Sequence, residues 1–231
     1  MALSVHNHEL SSANRSVWVL STCMLVLMLG HASAAKSEVQ VWNFDQDQPS
    51  RVPPGFQIGT LFDGRPAGDW QVIRTDKATS PPYVLAQLQG KGAEHAYKLA
   101  LVQSTEAEDI DLSVNILPIS GQADMGGGLI WHAADDRNYY LVRANPLEQN
   151  IRIYRVANGV RHMIKNFDHI IDVRQWHSLR VQMRGCDILV SFDDQPVLTL
   201  CDQAFTKGRI GLWTKSDAVT YFDDLRLEKA P

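Results

Sequence analysis

Cysteine is scarce in this chain. There are three in 231 residues, at Cys23, Cys186 and Cys201, too few for a disulfide-stapled mini-fold or a four-cysteine zinc site. Charge of one sign is never concentrated. The 22 Lys and Arg are interspersed with 26 Asp and Glu for a formal net charge of -4, which excludes the basic face that nucleic acid needs and a polybasic patch for a membrane surface. No long apolar run follows residue 30, and no stretch carries a persuasive helical period. The spaced catalytic signatures are missing too: no Gly-x-Ser-x-Gly elbow, no His-Glu-x-x-His, no phosphate-binding Gly-x-x-x-x-Gly-Lys. Gly126-Gly127-Gly128 leads into a strand and not a helix, so it is a hinge and not an anion cradle.

The start of the chain has the layout of an export signal. Met1 to Arg15 is polar, Ser16 to Gly30 is apolar, and His31 to Ala35 is a run of small residues. Residues 1–35 are therefore expected to be a signal peptide cut after Ala34 or Ala35. The apolar run is shorter than the ~20 residues of a spanning helix. The mature chain, 36–231, is expected in the periplasm or outside the cell, with no membrane contact.

Beyond residue 35 the chain is a succession of about thirteen brief alternating runs separated by Gly, Pro, Asn and Asp. That pattern predicts a single all-β domain, a sandwich or barrel. Arg51 to Phe56 is excluded from any central strand by Pro53 and Pro54. Phe205 and its neighbours are expected to form one helical turn.

Gly126 to Arg155 is the most informative stretch, three strands and two polar turns. Laying the apolar parities on a core leaves Trp131, Arg143, Asn145, Asn150, Arg152 and Tyr154 expected together on the opposite face. In Ile210 to Lys215 the same alternation adds Trp213 and Lys215 to that face. Aromatic rings with guanidinium and amide groups suit carbohydrate, because sugar C–H faces stack on rings and hydroxyls need planar partners. Two core tryptophans beside solvated arginines fit the same pattern.

Two further pairings stand open. Cys186 and Cys201 flank a hairpin turning at Asp193-Asp194, and a two-residue turn brings them opposite each other for a disulfide. A one-residue slip leaves two free thiols instead. Asp45 and Asp47 follow the first strand and Asp223 and Asp224 lie in the last, a set of hard oxygens suited to a structural Ca²⁺ or simply to capping and surface charge. For glycoside cleavage the candidate carboxylates are Asp135, Glu148 and Asp217, with nothing fixing a pair at catalytic separation.

Several motifs together carry a resemblance: Gly127 to Trp131, Asp135 with Asn138 to Asn145, Glu148 with Asn150 to Tyr154, Trp176 to Val181, and Gly208 to Asp217 ending in Tyr221 to Leu225. From Val41 to Leu227 the chain resembles exported bacterial proteins of the 3-keto-disaccharide hydrolase-like (DUF1080) group, in the concanavalin A-like lectin/glucanase (LamG-like) class. The resemblance implies a two-sheet antiparallel jelly roll with a curved face that handles glycans in relatives. The Glu-x-Asp-x-x-Glu motif of family 16 glucanases does not occur here. The expectation is a carbohydrate-binding sandwich using Trp131, Arg143, Asn145, Arg152, Tyr154, Trp213 and Lys215. A glycoside hydrolase on the same face, or a face that binds another protein, are the alternatives.

Overall fold

The computed structural model describes residues 38–61, 64–91 and 95–229, so the expected signal segment lies outside the described residues. Short apolar and β-branched runs bounded by turn residues become fifteen strands among the described residues. In chain order these are β1 (Glu38–Trp42), β2 (Phe56–Thr60), β3 (Trp70–Arg74), β4 (Tyr83–Gln87), β5 (Tyr97–Val102), β6 (Ile110–Ser120), β7 (Gly127–Ala133) and β8 (Tyr139–Asn145). They continue as β9 (Asn150–Ala157), β10 (Val160–Asp168), β11 (His177–Arg184), β12 (Asp187–Phe192), β13 (Gln195–Cys201), β14 (Arg209–Lys215) and β15 (Val219–Lys229).

All pairings between these strands are antiparallel, in two sheets. One has eight strands, in the order β13-β12-β11-β6-β15-β4-β3 with β1 also on β15, and the other has seven, β10-β9-β8-β7-β14-β5-β2. The two strands not expected from the sequence, β2 and β10, are the two edges of the seven-stranded sheet. An edge strand contributes few core side chains, so its alternation is weak: in β10 the spacing slips between Met163 and Lys165. Lys165 then reaches across to the other sheet's edge, donating from Nζ to the Thr199 carbonyl at 2.6 Å, which caps an exposed strand rim. The segment around Phe205 is irregular and forms no helical turn.

The main core lies between the sheets. From the eight-stranded sheet come Leu112, Val114, Leu179 and Val181, and from the seven-stranded sheet Leu129, Trp131, Tyr140, Val142, Ile151, Ile153 and Leu212, all at 1% exposure or less. Trp131 is a correction to the expected site. Its parity is that of Leu129, so the indole points inward, stacks on Tyr140 with centroids 5.3 Å apart and donates to the Met183 sulfur at 3.3 Å. The largest apolar surface in the strand goes to the layer that excludes water.

Two of the three glycines before it, Gly126 and Gly128, have separate reasons. Gly126 sits at φ +108°, where a side chain is strained, and a Cβ on Gly128 would lie 2.2 Å from the Val142 carbonyl oxygen. Gly128 is opposite Arg143 in the β7–β8 register, and a Cβ there would also lie 3.0 Å from the Arg143 Cα and Cβ, so its missing side chain lets the two strands approach closely beneath that arginine.

The β12–β13 hairpin turns at Asp193-Asp194, both at positive φ as a type I′ turn requires. A bulge between Val190 and Ser191 shifts the register so that Cys201 faces Asp187. Cys186, one residue further out, still bonds Cys201 in a disulfide with Cα atoms 4.7 Å apart.

Candidate functional site

The outer face of the seven-stranded sheet has one apolar half and one polar half. The apolar half is a second cluster, with Leu61, Leu99, Leu101, Ile130, Ala133, Tyr139, Leu141, Tyr154, Val156 and Trp213 at 4% exposure or less and Tyr97 against them. Strand register builds the rest in rows. One row runs Leu99, Trp213, Gly128, Arg143, Arg152, Asn166 across five neighbouring pairings, and the next places Asn145 beside Asn150. Arg143, Asn145, Arg152, Tyr154, Trp213 and Lys215 therefore do share one face, without Trp131. Trp213 reaches that face but is only 1% exposed, tucked against Tyr97 at 5.5 Å. Among the described residues, this face presents no bare indole platform.

Arg143 is the centre of the polar half. It is 2% exposed, and its guanidinium donates to Asn150 Oδ1 at 2.9 Å, Glu148 Oε2 at 3.0 Å and the Tyr154 hydroxyl at 3.3 Å. A buried guanidinium needs such partners to offset its lost hydration. Glu148, in the tight β8–β9 turn, is also held by Arg152, which bonds Asn166 through Nε at 2.7 Å. Burial works to raise the Glu148 pKa, but Arg143 and Arg152 outweigh it and keep the carboxyl below its usual range.

Asn145 links this group to a residue that sequence reasoning missed. Its Nδ2 donates to Asp124 Oδ1 at 3.1 Å and to Glu148 Oε1 at 3.4 Å, and Lys215 Nζ reaches Asp124 Oδ2 at 3.2 Å. Asp124 is 2% exposed. Burial raises its pKa, and Lys215 and Arg143 pull it only part of the way back. The residue lies in an irregular loop with no periodic neighbours, so nothing local in the sequence marks it.

The other candidate carboxylates have structural employment. Asp217 accepts the backbone N–H groups of Gln122 at 2.7 Å and of Ala123 and Asp124 at 3.0 Å, anchoring the loop that carries Asp124. Burial would raise its pKa, and these donors lower it below the usual range instead. Asp135 caps its own turn, accepting from Arg137 N at 2.8 Å and Asn138 Nδ2 at 3.0 Å.

The expected calcium ligands do not converge. No three of the carboxylates of Asp45, Asp47, Asp223 and Asp224 come together as a ligand group among the described residues. Asp223 is filled by donors from Thr79 and Ser80, Asp224 accepts from Thr79 and Asn115, and Asp45 from Asn43 and the Tyr83 N–H. The loop before β4 supplies hydroxyls and amides where a cation was expected, because the strand partner of β15 changes there from β4 to β1 and the intervening backbone needs bracing. The group that does lie close, Cys186, Asp187 and Cys201, has its sulfurs committed to the disulfide.

No known protein family's model matches the chain. The levanase of Bacillus subtilis (strain 168) is 23% identical over 144 residues, which is 61% of this chain and 21% of that protein. The chain thus spans about a fifth of the length of that curated relative. Among solved structures, the carbohydrate-binding module CBM66 from Bacillus subtilis superposes with a TM-score of 0.60 at 20% identity, over 74% of this chain and 94% of the module. Domain 4 of AbnA, a GH43 extracellular arabinanase from Geobacillus stearothermophilus, in complex with arabinotriose, superposes with a TM-score of 0.57 at 11% identity, over 84% and 93%. Identities this low establish shared architecture and no more, and on that basis the chain is a two-sheet antiparallel jelly roll of the kind found in carbohydrate-binding modules and glycanases.

Proposed function

We propose that this chain is an exported glycan-binding protein that takes carbohydrate on the outer face of its seven-stranded sheet, at the polar cluster of Arg143, Asn145, Glu148, Arg152, Tyr154 and Lys215. The observation that carries this reading is the buried Arg143 guanidinium. It fixes a planar carboxylate and a second guanidinium at the surface, with the Glu148 and Arg152 side chains 39% and 28% exposed. Paired hydroxyls of a sugar match such planar groups two at a time, and groups already held in place lose little freedom on binding. The names of the similar proteins suggest the first probes, levan oligosaccharides and arabinotriose.

The test is calorimetry with those sugars, backed by a glycan array. Glu148→Gln and Arg152→Ala are expected to weaken binding roughly tenfold or more while the circular dichroism of the fold is unchanged. Binding as tight as that of the unaltered protein in both variants, or no bound sugar at all, would sink the proposal.

Export belongs to the same proposal: residues 1–35 as a signal, 36–231 as the mature domain, and a periplasmic or extracellular home consistent with the disulfide. Mass spectrometry of protein from an expressing bacterium should find a chain beginning at Ala35 or Lys36. A closer tie to the 3-keto-disaccharide hydrolase-like group is also proposed here, on the motifs quoted above. One observation favours a second reading, glycoside hydrolysis. Asp124 and Glu148 share the Asn145 amide while their pKa values are pushed in opposite directions, as in an acid and base pair. Release of reducing ends from either probe, abolished in Glu148→Gln, would establish it.

A further inference from the structure

The apolar half of the outer face holds a charged group that the polar cluster does not use. Arg161, near the start of edge strand β10, lays its guanidinium between two phenol rings, with Cζ 4.8 Å from the Tyr97 centroid and 4.4 Å from the Tyr154 centroid. Among the described residues no carboxylate forms an ion pair with it; the ring faces hold it. Such attraction is weak where water has access. The hairpin behind it turns through Asn158 and Gly159, both at positive φ, at the exposed rim of the sheet.

Beside these rings lie two buried polar groups that make no hydrogen bond of normal length and angle. Trp213 Nε1 and the Tyr139 hydroxyl belong to residues 1% and 0% exposed. They are neighbours, and the indole N–H and the phenol oxygen are each other's nearest polar contact, weaker than a full hydrogen bond. Unmade hydrogen bonds of this kind are costly, and native proteins keep few of them outside places where something else completes the set. Both groups sit in the apolar cluster that Tyr97 and Tyr154 border.

We propose that the slot between Tyr97 and Tyr154 is a sugar-stacking subsite which Arg161 closes in the free protein. An entering furanose or pyranose ring would present its C–H faces to the two phenols in place of the guanidinium, and its hydroxyls to Trp213 Nε1 and Tyr139. Arg143, 3.3 Å from the Tyr154 hydroxyl, places the polar cluster beside the slot, so one glycan can engage both. This subsite rests on the glycan-binding reading and adds to it an aromatic contact and a gate.

The experiment compares Arg161→Ala and Arg161→Lys with the unaltered full chain. Acrylamide quenching reads the exposure of Trp213, its signal isolated by subtracting Trp213→Phe versions of each protein, and near-ultraviolet circular dichroism checks the fold. Arg161→Ala should make the Trp213 component about twofold more quenchable and bind arabinotriose or levan oligosaccharides roughly five- to tenfold tighter, because the competing occupant is gone. Arg161→Lys, still cationic, should stay near the unaltered protein. Unchanged quenching in Arg161→Ala overturns the gate whatever the sugars do. Raised quenching with weaker or equal binding overturns the subsite and makes Arg161 a ligand contact or a bystander. If no protein binds either sugar, the glycan-binding reading fails and the sugar-stacking subsite with it, while the quenching result still decides the gate.

Discussion

Arg143 and Glu148 form a half-buried ion pair, 3.0 Å from Nη2 to Oε2, in which the arginine is almost fully enclosed and the carboxylate reaches solvent. The asymmetry decides what each substitution does. Removing the exposed acid leaves a charge without its counterion in a site it cannot leave, whereas removing the outer Arg152 leaves Glu148 still paired. Glu148→Ala should therefore cost about 1–3 kcal/mol of stability and Arg152→Ala less than about 1 kcal/mol, read by urea denaturation. Equal costs would mean Arg143 is not the dependent partner.

Trp131 and Trp213 should separate by readout. Trp131→Ala opens a cavity between the sheets and is expected to cost about 3–5 kcal/mol. The gentler Trp131→Phe should lower the melting temperature yet leave the affinity for arabinotriose or levan oligosaccharides unchanged. Trp213→Phe, on the outer face, should weaken binding. Loss of affinity in Trp131→Phe at a temperature where it is fully folded would contradict this division.

The disulfide closes a loop with a sequence separation of 15. In the chain-entropy account such a loop contributes about 3 kcal/mol. Cys186→Ser with Cys201→Ser should lower the melting temperature by roughly 6–12 °C for a domain of this size, without changing binding on the opposite sheet. Reduction with dithiothreitol should reproduce the shift in the unaltered protein and none in the double variant.

Lys98 supplies a pH test. Its side chain is 0% exposed, with Nζ donating to the Gln89 carbonyl at 2.7 Å, and burial pushes its pKa down to about 8. Because the folded value lies below the unfolded one, the ammonium is penalised in the fold. The penalty is full below pH 8 and relieved as pH rises from there toward 10.5, the ordinary lysine value. Stability should climb by about 1–3 kcal/mol across that window through this group. Lys98→Met should be more stable than the unaltered protein at pH 7 and lack this rise. A flat profile in the unaltered protein would show that the amine is better solvated than its burial indicates.

Much of the fold was legible because antiparallel strands with one buried face alternate in sequence. Thirteen of the fifteen strands announce themselves that way, and β2 and β10 escape because edge strands owe the core less. The two-residue turn at Asp193-Asp194 was legible too, but the bulge at Val190 was not, since a bulge depends on how the partner strand twists. Of the expected face, Arg143, Asn145, Arg152, Tyr154, Trp213 and Lys215 share a side because strand parity carries them there. Trp131 does not, since its parity with Leu129 bound it to the core.

What the sequence alone determined is periodic: an all-β domain, sandwich or barrel, the parity of each strand and the shortage of fixed catalytic motifs. Which side of a strand faces the other sheet, and what lies beside what across it, depended on pairing between segments far apart in the chain. Asp124 meets Lys215 across 91 residues and Asp223 meets Thr79 across 144, separations at which local pattern carries no information. Whether an aromatic side chain on the correct face is open to a ligand or roofed over, as Trp213 is, was likewise decided only when Tyr97 and its neighbours packed down on it, because accessibility belongs to the assembled surface and not to any one strand.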